Sequence, residues 1–202
     1  MKHAGQVKGV LIGIILAVVV LGVVSVAWYI NGYNRAVNLE EGAKTAWSNV
    51  DTALQRRLDL IPNLVATVRG YAEHEKELFE NIAKSREKYF QPGGTRAEKI
   101  AASNELSGLL SRLLMLQENY PQLKANENFL TLQTQLEGTE NRINVARTRY
   151  NEAGQRLNSY TRQFFGSFFS RRAGVEAVAY FEATEQARTE VPKVDFKGGP
   201  NE

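Results

Sequence analysis

Between Lys8 and Arg35 the chain carries no charged side chain, and the centre of that stretch, Val10-Leu11-Ile12-Gly13-Ile14-Ile15-Leu16-Ala17-Val18-Val19-Val20-Leu21-Gly22-Val23-Val24, is almost wholly apolar. No other feature constrains the fold as strongly. About 20 apolar residues at roughly 1.5 Å each cross the hydrocarbon core of a bilayer as a helix. Trp28 and Tyr29 close the run, and their amphipathic rings favour the membrane–water boundary. The sequence therefore predicts a short basic N-terminus at 1–8, a transmembrane helix over 9–31 and a water-soluble remainder. A cleaved signal peptide is the rival reading. Ser25-Val26-Ala27 has small residues at a suitable spacing, and Lys2, His3 and Lys8 supply a basic start. The apolar run exceeds the about 7–15 residues usual for such peptides, which favours a retained anchor.

The rest of the composition narrows the function. Residues after the first 30 number 172 of 202, enough for one domain with a core. All 22 acidic residues and 23 of the 25 lysines and arginines lie beyond the span, so the soluble part is close to neutral. No block of like charge accompanies the pI of 9.1, and nucleic-acid binding is not expected. The absence of cysteine removes disulfides, thiolate metal sites and cysteine nucleophiles. His74-Glu75 begins like a zinc motif, but Leu78 stands where the second histidine belongs. Tyr71, His74 and Glu75 lack an accompanying nucleophile or metal set, and read as a surface or core-edge pair. No catalytic, cofactor-binding or metal-binding residue is assigned, no cofactor is expected, and the chain reads as non-enzymatic.

Beyond Asn31-Gly32 the apolar pattern is helical. Leu39, Ala43, Trp47, Val50, Leu54, Leu58, Ile61, Val65, Val68, Ala72, Phe79 and Ile82 recur at helical spacing. They predict one long helix from about 39 to 89, the seam of an antiparallel bundle or coiled coil. Pro62 removes a backbone donor and should kink it or begin a new helix. Gln91-Pro92-Gly93-Gly94 is a turn, and Thr95 with Glu98 a capping box. Ile100, Leu106, Leu109, Leu110, Leu113 and Leu114 mark a second helix to about Asn119, ended by Tyr120-Pro121. Phe129, Leu132, Leu136, Ile143, Ala146, Tyr150, Ala153 and Leu157 mark a third, from about 122 to 163. Gly174 to about Ala187 reads as a short helix, and 191–202 as an extended tail. The expected class is all-α: one transmembrane helix, then at 33–190 an antiparallel bundle of three long helices and a short C-terminal one.

Several segments are more specific. Tyr33-Asn34, Trp47-Ser48-Asn49-Val50, Arg57-Leu58-Asp59-Leu60-Ile61-Pro62-Asn63-Leu64-Val65 and Gly70-Tyr71-Ala72-Glu73-His74-Glu75 form one group. Glu118-Asn119-Tyr120-Pro121-Gln122-Leu123-Lys124-Ala125-Asn126-Glu127-Asn128-Phe129, Glu140-Asn141-Arg142-Ile143, Ala146-Arg147, Tyr150-Asn151 and Val191-Pro192-Lys193-Val194-Asp195-Phe196 form another. Together they resemble the LemA family of membrane-anchored bacterial proteins, over about residues 33 to 196. The resemblance implies one N-terminal membrane helix and a long helical bundle. It supplies no agreed reaction.

Three groups of residues are candidate sites. Around Arg57, Asp59, Pro62 and Asn63, Pro62 frees the carbonyl of Leu58, which Asn63 or Arg57 would satisfy. Arg57 would pair with Glu118, Glu140 or Asp59. The alternative is a partner or lipid-headgroup site. Phe164, Phe165, Phe168 and Phe169, followed by Arg171 and Arg172, either cap the bundle or meet a membrane or neighbouring subunit. Gly9, Gly13 and Ala17 form a small-residue stripe that permits close packing of transmembrane helices. Lys2 and Lys8 before the span favour a cytoplasmic N-terminus and a domain on the outer side. The expected function is a single-pass scaffold of a bacterial cytoplasmic membrane whose partners are the lipid bilayer and further copies of itself. The alternative is an accessory subunit of a membrane proteolytic or stress-signalling complex, with a membrane protein as partner.

Overall fold

The computed structural model describes residues 3–182, with side-chain surroundings from Leu11 onward. The elements are α1 (His3–Arg69), α2 (Lys76–Phe90), α3 (Arg96–Met115), a 3-10 turn (Leu116–Glu118), α4 (Pro121–Lys124), α5 (Glu127–Arg162) and α6 (Phe164–Ala173). No strand occurs among the described residues. The protein is all-α, with one long apolar N-terminal helix and a helical bundle. The expected tail at 191–202 lies outside the described residues.

The helix ends follow local chemistry. α1 runs through the apolar span, past Gly32 and past Pro62, and stops only at Arg69. The helix expected to continue to 89 is instead cut by a turn, in which the amides of Tyr71 and Ala72 both donate to the carbonyl of Val68. Gly70, a poor helix former, begins that turn. Ala72 is nonetheless buried, so the apolar spacing carries across the break and conceals it. The capping box of α3 forms as expected: Thr95 N–H donates to Glu98 Oε2 at 2.7 Å, and Glu98 N–H to Thr95 Oγ1 at 3.2 Å. The Thr95 amide holds the Glu98 carboxyl below its ordinary pKa. The third long helix is also divided, because Asn126 Oδ1 accepts from Phe129 N–H at 2.9 Å and caps a new start.

The chain forms two compact units. In the first, Met1–Thr52 with Val145–Val178, α1 and α5 lie antiparallel and α6 folds against them. Its core is Ala36, Ala43, Ala153, Leu157, Tyr160, Phe169 and Val175. The alanines of α1 admit large rings from α5 and α6, and Trp47 meets Tyr150 edge-on at 5.3 Å. The side chains from Leu11 to Ile30 are exposed throughout. In the second unit, Ala53–Asn144 with Ala179–Glu202, α2 and α3 form an antiparallel hairpin. It is fixed by Ser85 Oγ donating to the Ala102 carbonyl and by Lys88 with Glu105 at 3.0 Å. Leu54, Leu58, Ile61, Leu64, Val68, Ile82, Leu106, Leu113, Phe129 and Ile143 fill its interior.

The short C-terminal helix sits earlier than expected. It is α6, and Gly174 ends it rather than opening a new one. Gly174 adopts φ 68°, its N–H donates to Arg171 O at 3.3 Å, and Val175 N–H donates to Ser170 O at 2.9 Å. This pairing closes a helix through a left-handed residue, and Val175 is buried just beyond it. Residues 175–182 are not helical, and the remainder of the expected helix, to 187, lies outside the described residues. Asn158 pins the departing chain. Its Nδ2 donates to Val178 O and its Oδ1 accepts from Val178 N–H, both at 2.8 Å. Gly174→Ala should therefore cost about 1–2 kcal/mol, the penalty of a left-handed conformation with a Cβ. Urea unfolding should show a lower midpoint with the helical signal unchanged.

Candidate functional site

The most distinctive surface lies in the first unit, where the apolar segment of α1 ends. Here α6 crosses Trp28 and Tyr29. The ring centroid of Trp28 is 5.2 Å from Phe165 and 4.9 Å from Phe169, and Tyr29 is 5.8 Å from Phe169 and 6.5 Å from Phe168. Two glycines make the crossing possible. A Cβ on Gly32 would overlap the ring of Phe169, and one on Gly166 would overlap the carbonyl oxygen of Tyr160. Tyr160 completes the joint, donating its hydroxyl proton to the Gly32 carbonyl at 2.8 Å while Arg35 stacks over its ring at 5.3 Å.

The four phenylalanines therefore divide. Phe169 is 2% exposed and belongs to the core, whereas Phe164, Phe165 and Phe168 are 85%, 56% and 47% exposed. Arg171 and Arg172 continue the outward face. Burying one such ring is worth about 1.5–3 kcal/mol, so three on one short helix make an apolar surface that water solvates poorly. Gly32, Gly166 and Tyr160 were not singled out from sequence. A glycine within a helical pattern is the available signal, but the partners of Gly32, Tyr160 and Phe169, are more than a hundred residues away. Gly166→Ala should cost about 1–3 kcal/mol through overpacking and release α6, reducing the near-ultraviolet circular dichroism of Trp28.

The residues around Pro62 serve the second unit. Arg57, 6% exposed, forms an ion pair with Glu140 through Nη2, and its Nη1 donates to Ser107 Oγ at 3.0 Å. Burial lowers the Arg57 pKa and the charge of Glu140 opposes that shift; a guanidinium stays protonated. Of the three carboxylates considered, Glu140 is the partner. Asp59 is exposed and accepts instead from Gln55 Nε2 at 3.0 Å. The Leu58 carbonyl freed by Pro62 is met by neither Asn63 nor Arg57. Arg86 Nε of α2 donates to it at 3.3 Å. The exposed Asn63 offers its carbonyl to Thr67 Oγ1 at 2.9 Å.

The ion pair is asymmetric, since the Glu140 side chain is 36% exposed. Glu140→Ala strands a buried cation and should cost about 3 kcal/mol. Arg57→Met uncovers Glu140 Oε2, a buried oxygen on a side chain that is otherwise 36% exposed, and should cost less, about 1–2 kcal/mol. Urea unfolding of both variants should rank them in that order, and equal losses would contradict the geometry.

The remaining candidates are less connected. Gly13 has open space where a Cβ would project, and Ala17 is exposed. Gly9 lies outside the residues whose side-chain surroundings are described. His74 is exposed in the turn after α1, and Tyr71 accepts from Asn126 Nδ2 at 3.0 Å.

The chain is similar to known proteins over most of its length. Residues 46–196 match the model of the LemA family. Protein LemA of Metamycoplasma hominis is 22% identical over 84% of this chain and 77% of that protein. The magnetosome protein MamQ of Magnetospirillum gryphiswaldense is 23% identical over 83% of this chain and 71% of its own length. Magnetosome protein MamQ 2 of Paramagnetospirillum magneticum is 24% identical over 84% and 73%. With three quarters of its length matched by the family model, the chain belongs to the LemA family.

Proposed function

We propose that this protein is a non-enzymatic scaffold, held in a bacterial cytoplasmic membrane by its N-terminal helix, which self-assembles or docks partners at the bilayer. One observation carries the reading. α1 passes without interruption from side chains that are all exposed, Leu11 to Ile30, to side chains that are wholly buried, Ala36, Ala43 and Val50. The exposed part is apolar enough and long enough to cross a membrane. A continuous helix transmits the direction of the span to the packed domain, whereas a flexible linker would not. Lys2 and Lys8 favour a domain on the outer side. Confinement to two dimensions raises the effective concentration of each copy. The stripe Gly9, Gly13 and Ala17 then suffices for a helix contact of about 1–2 kcal/mol.

Full-length protein should remain in membranes washed at alkaline pH and form homo-oligomers in lipid nanodiscs. Gly9→Leu with Gly13→Leu should shift the particles to smaller species with helical content unchanged. A strictly monomeric wild-type particle would refute self-assembly. Stoichiometric crosslinking to a foreign protein in native membranes would make docking the main role.

A further inference from the structure

We propose that α6 is a second membrane contact. Its outward face, Phe164, Phe165 and Phe168 followed by Arg171 and Arg172, lies in the interface of the leaflet from which α1 emerges. The rings enter the upper acyl region and the guanidinium groups meet lipid phosphates. This rests on the reading of α1 as the anchor, and specifies what the domain does at the bilayer.

The first ground is periodicity. Steps of three and four from Phe164 and Phe165 reach Phe168, and from Phe168 reach Arg171 and Arg172. These five residues form one exposed stripe, while Gly166, Phe169 and Ser170 form the buried one. A short helix with aromatic rings leading and arginines following on its free face has the composition of an interfacial helix. The second ground is position. The rings of α6 touch Trp28 and Tyr29, the residues that close the apolar span, so they share the level of the membrane–water boundary. A groove of about 620 Å³ opens there, walled by Trp28 and the three exposed phenylalanines and bordered by the two arginines. Its apolar walls and cationic edge match an acyl chain beneath a phosphate.

Charge separates a lipid surface from a second copy as the occupant. No acidic residue occurs before Glu40 or between Glu152 and Glu176, whereas Arg35, Arg162, Arg171 and Arg172 all fall in those segments. A symmetric contact between two such patches would set arginine against arginine. Lipid phosphates supply the opposite charge.

The chain has two tryptophans, Trp28 and Trp47, and no cysteine, so two clean reporters are available. Full-length protein is reconstituted into vesicles of phosphatidylcholine and phosphatidylglycerol carrying bromine high on the acyl chains. Trp47→Phe leaves Trp28 alone to report the anchor. Trp28→Phe, Trp47→Phe and Phe164→Trp combined report α6. The α6 reporter should lose most of its emission relative to unbrominated vesicles. A polarity-sensitive dye on Phe168→Cys, in the otherwise unchanged chain, should shift to the blue in either lipid. If Trp28 is quenched while the α6 reporter is not and the dye reads an aqueous setting, the second contact is overturned and the anchor stands. A blue shift that needs high protein density and comes without quenching assigns the face to a second copy, and also overturns it. If Trp28 itself is unquenched, the anchor reading fails and this proposal with it.

Discussion

A seven-residue recurrence of buried side chains organises the molecule. On α5, Phe129, Leu136, Ile143, Tyr150 and Leu157 are all buried, and Thr139, Ala146, Ala153 and Tyr160 repeat the interval one turn away. On α1 the same interval links Ala36, Ala43, Val50, Arg57 and Leu64. Within each unit, two faces that repeat at this interval stay in register, which is how long helices bury a seam. Residue size differs between the units. The alanines of α1 in the first unit leave room for Tyr150, Tyr160 and Phe169, and bulkier residues in the second unit pack among four helices.

One seam position is charged. Arg57 stands where the repeat calls for an apolar residue, and its burial is tolerable because Glu140 and Ser107 meet it. A slip of α5 by one heptad would leave the guanidinium buried without its carboxylate, a heavily penalised state. The same logic applies one residue along, where Pro62 withholds a donor from Leu58 and Arg86 of α2 supplies it. A side chain from another helix thus does the work the backbone cannot, and α1 continues to Arg69.

The end of the bundle beside the apolar segment follows a different rule. There the backbone approaches closely through glycine, at Gly32 and Gly166, and reverses through Gly174. These three positions fix α6 across the end of the apolar segment. Phe169 is consumed by the core, and the other three rings face outward.

The sequence by itself determined what depends on near neighbours and on repetition. The uncharged run, the helical class, the buried seam, the Thr95–Glu98 cap and the family could all be read from it, because each is encoded within a few residues or repeated many times. The breaks after Arg69 and before Glu127 were not legible: Ala72, in the first turn, is buried in step with Val68 and Phe79, and Leu123, in the short α4 just before the second, is buried like any core residue. Gly174 carried the correct signal for a chain reversal, but whether a glycine starts or stops a helix depends on which side the carbonyls remain unpaired. Only the tertiary structure decided that Glu140 rather than Asp59 meets Arg57, that Arg86 serves Leu58, and that one phenylalanine of four is buried. Those choices join residues many positions apart, and the spacing of residues within a helix fixes its face but not what that face will meet.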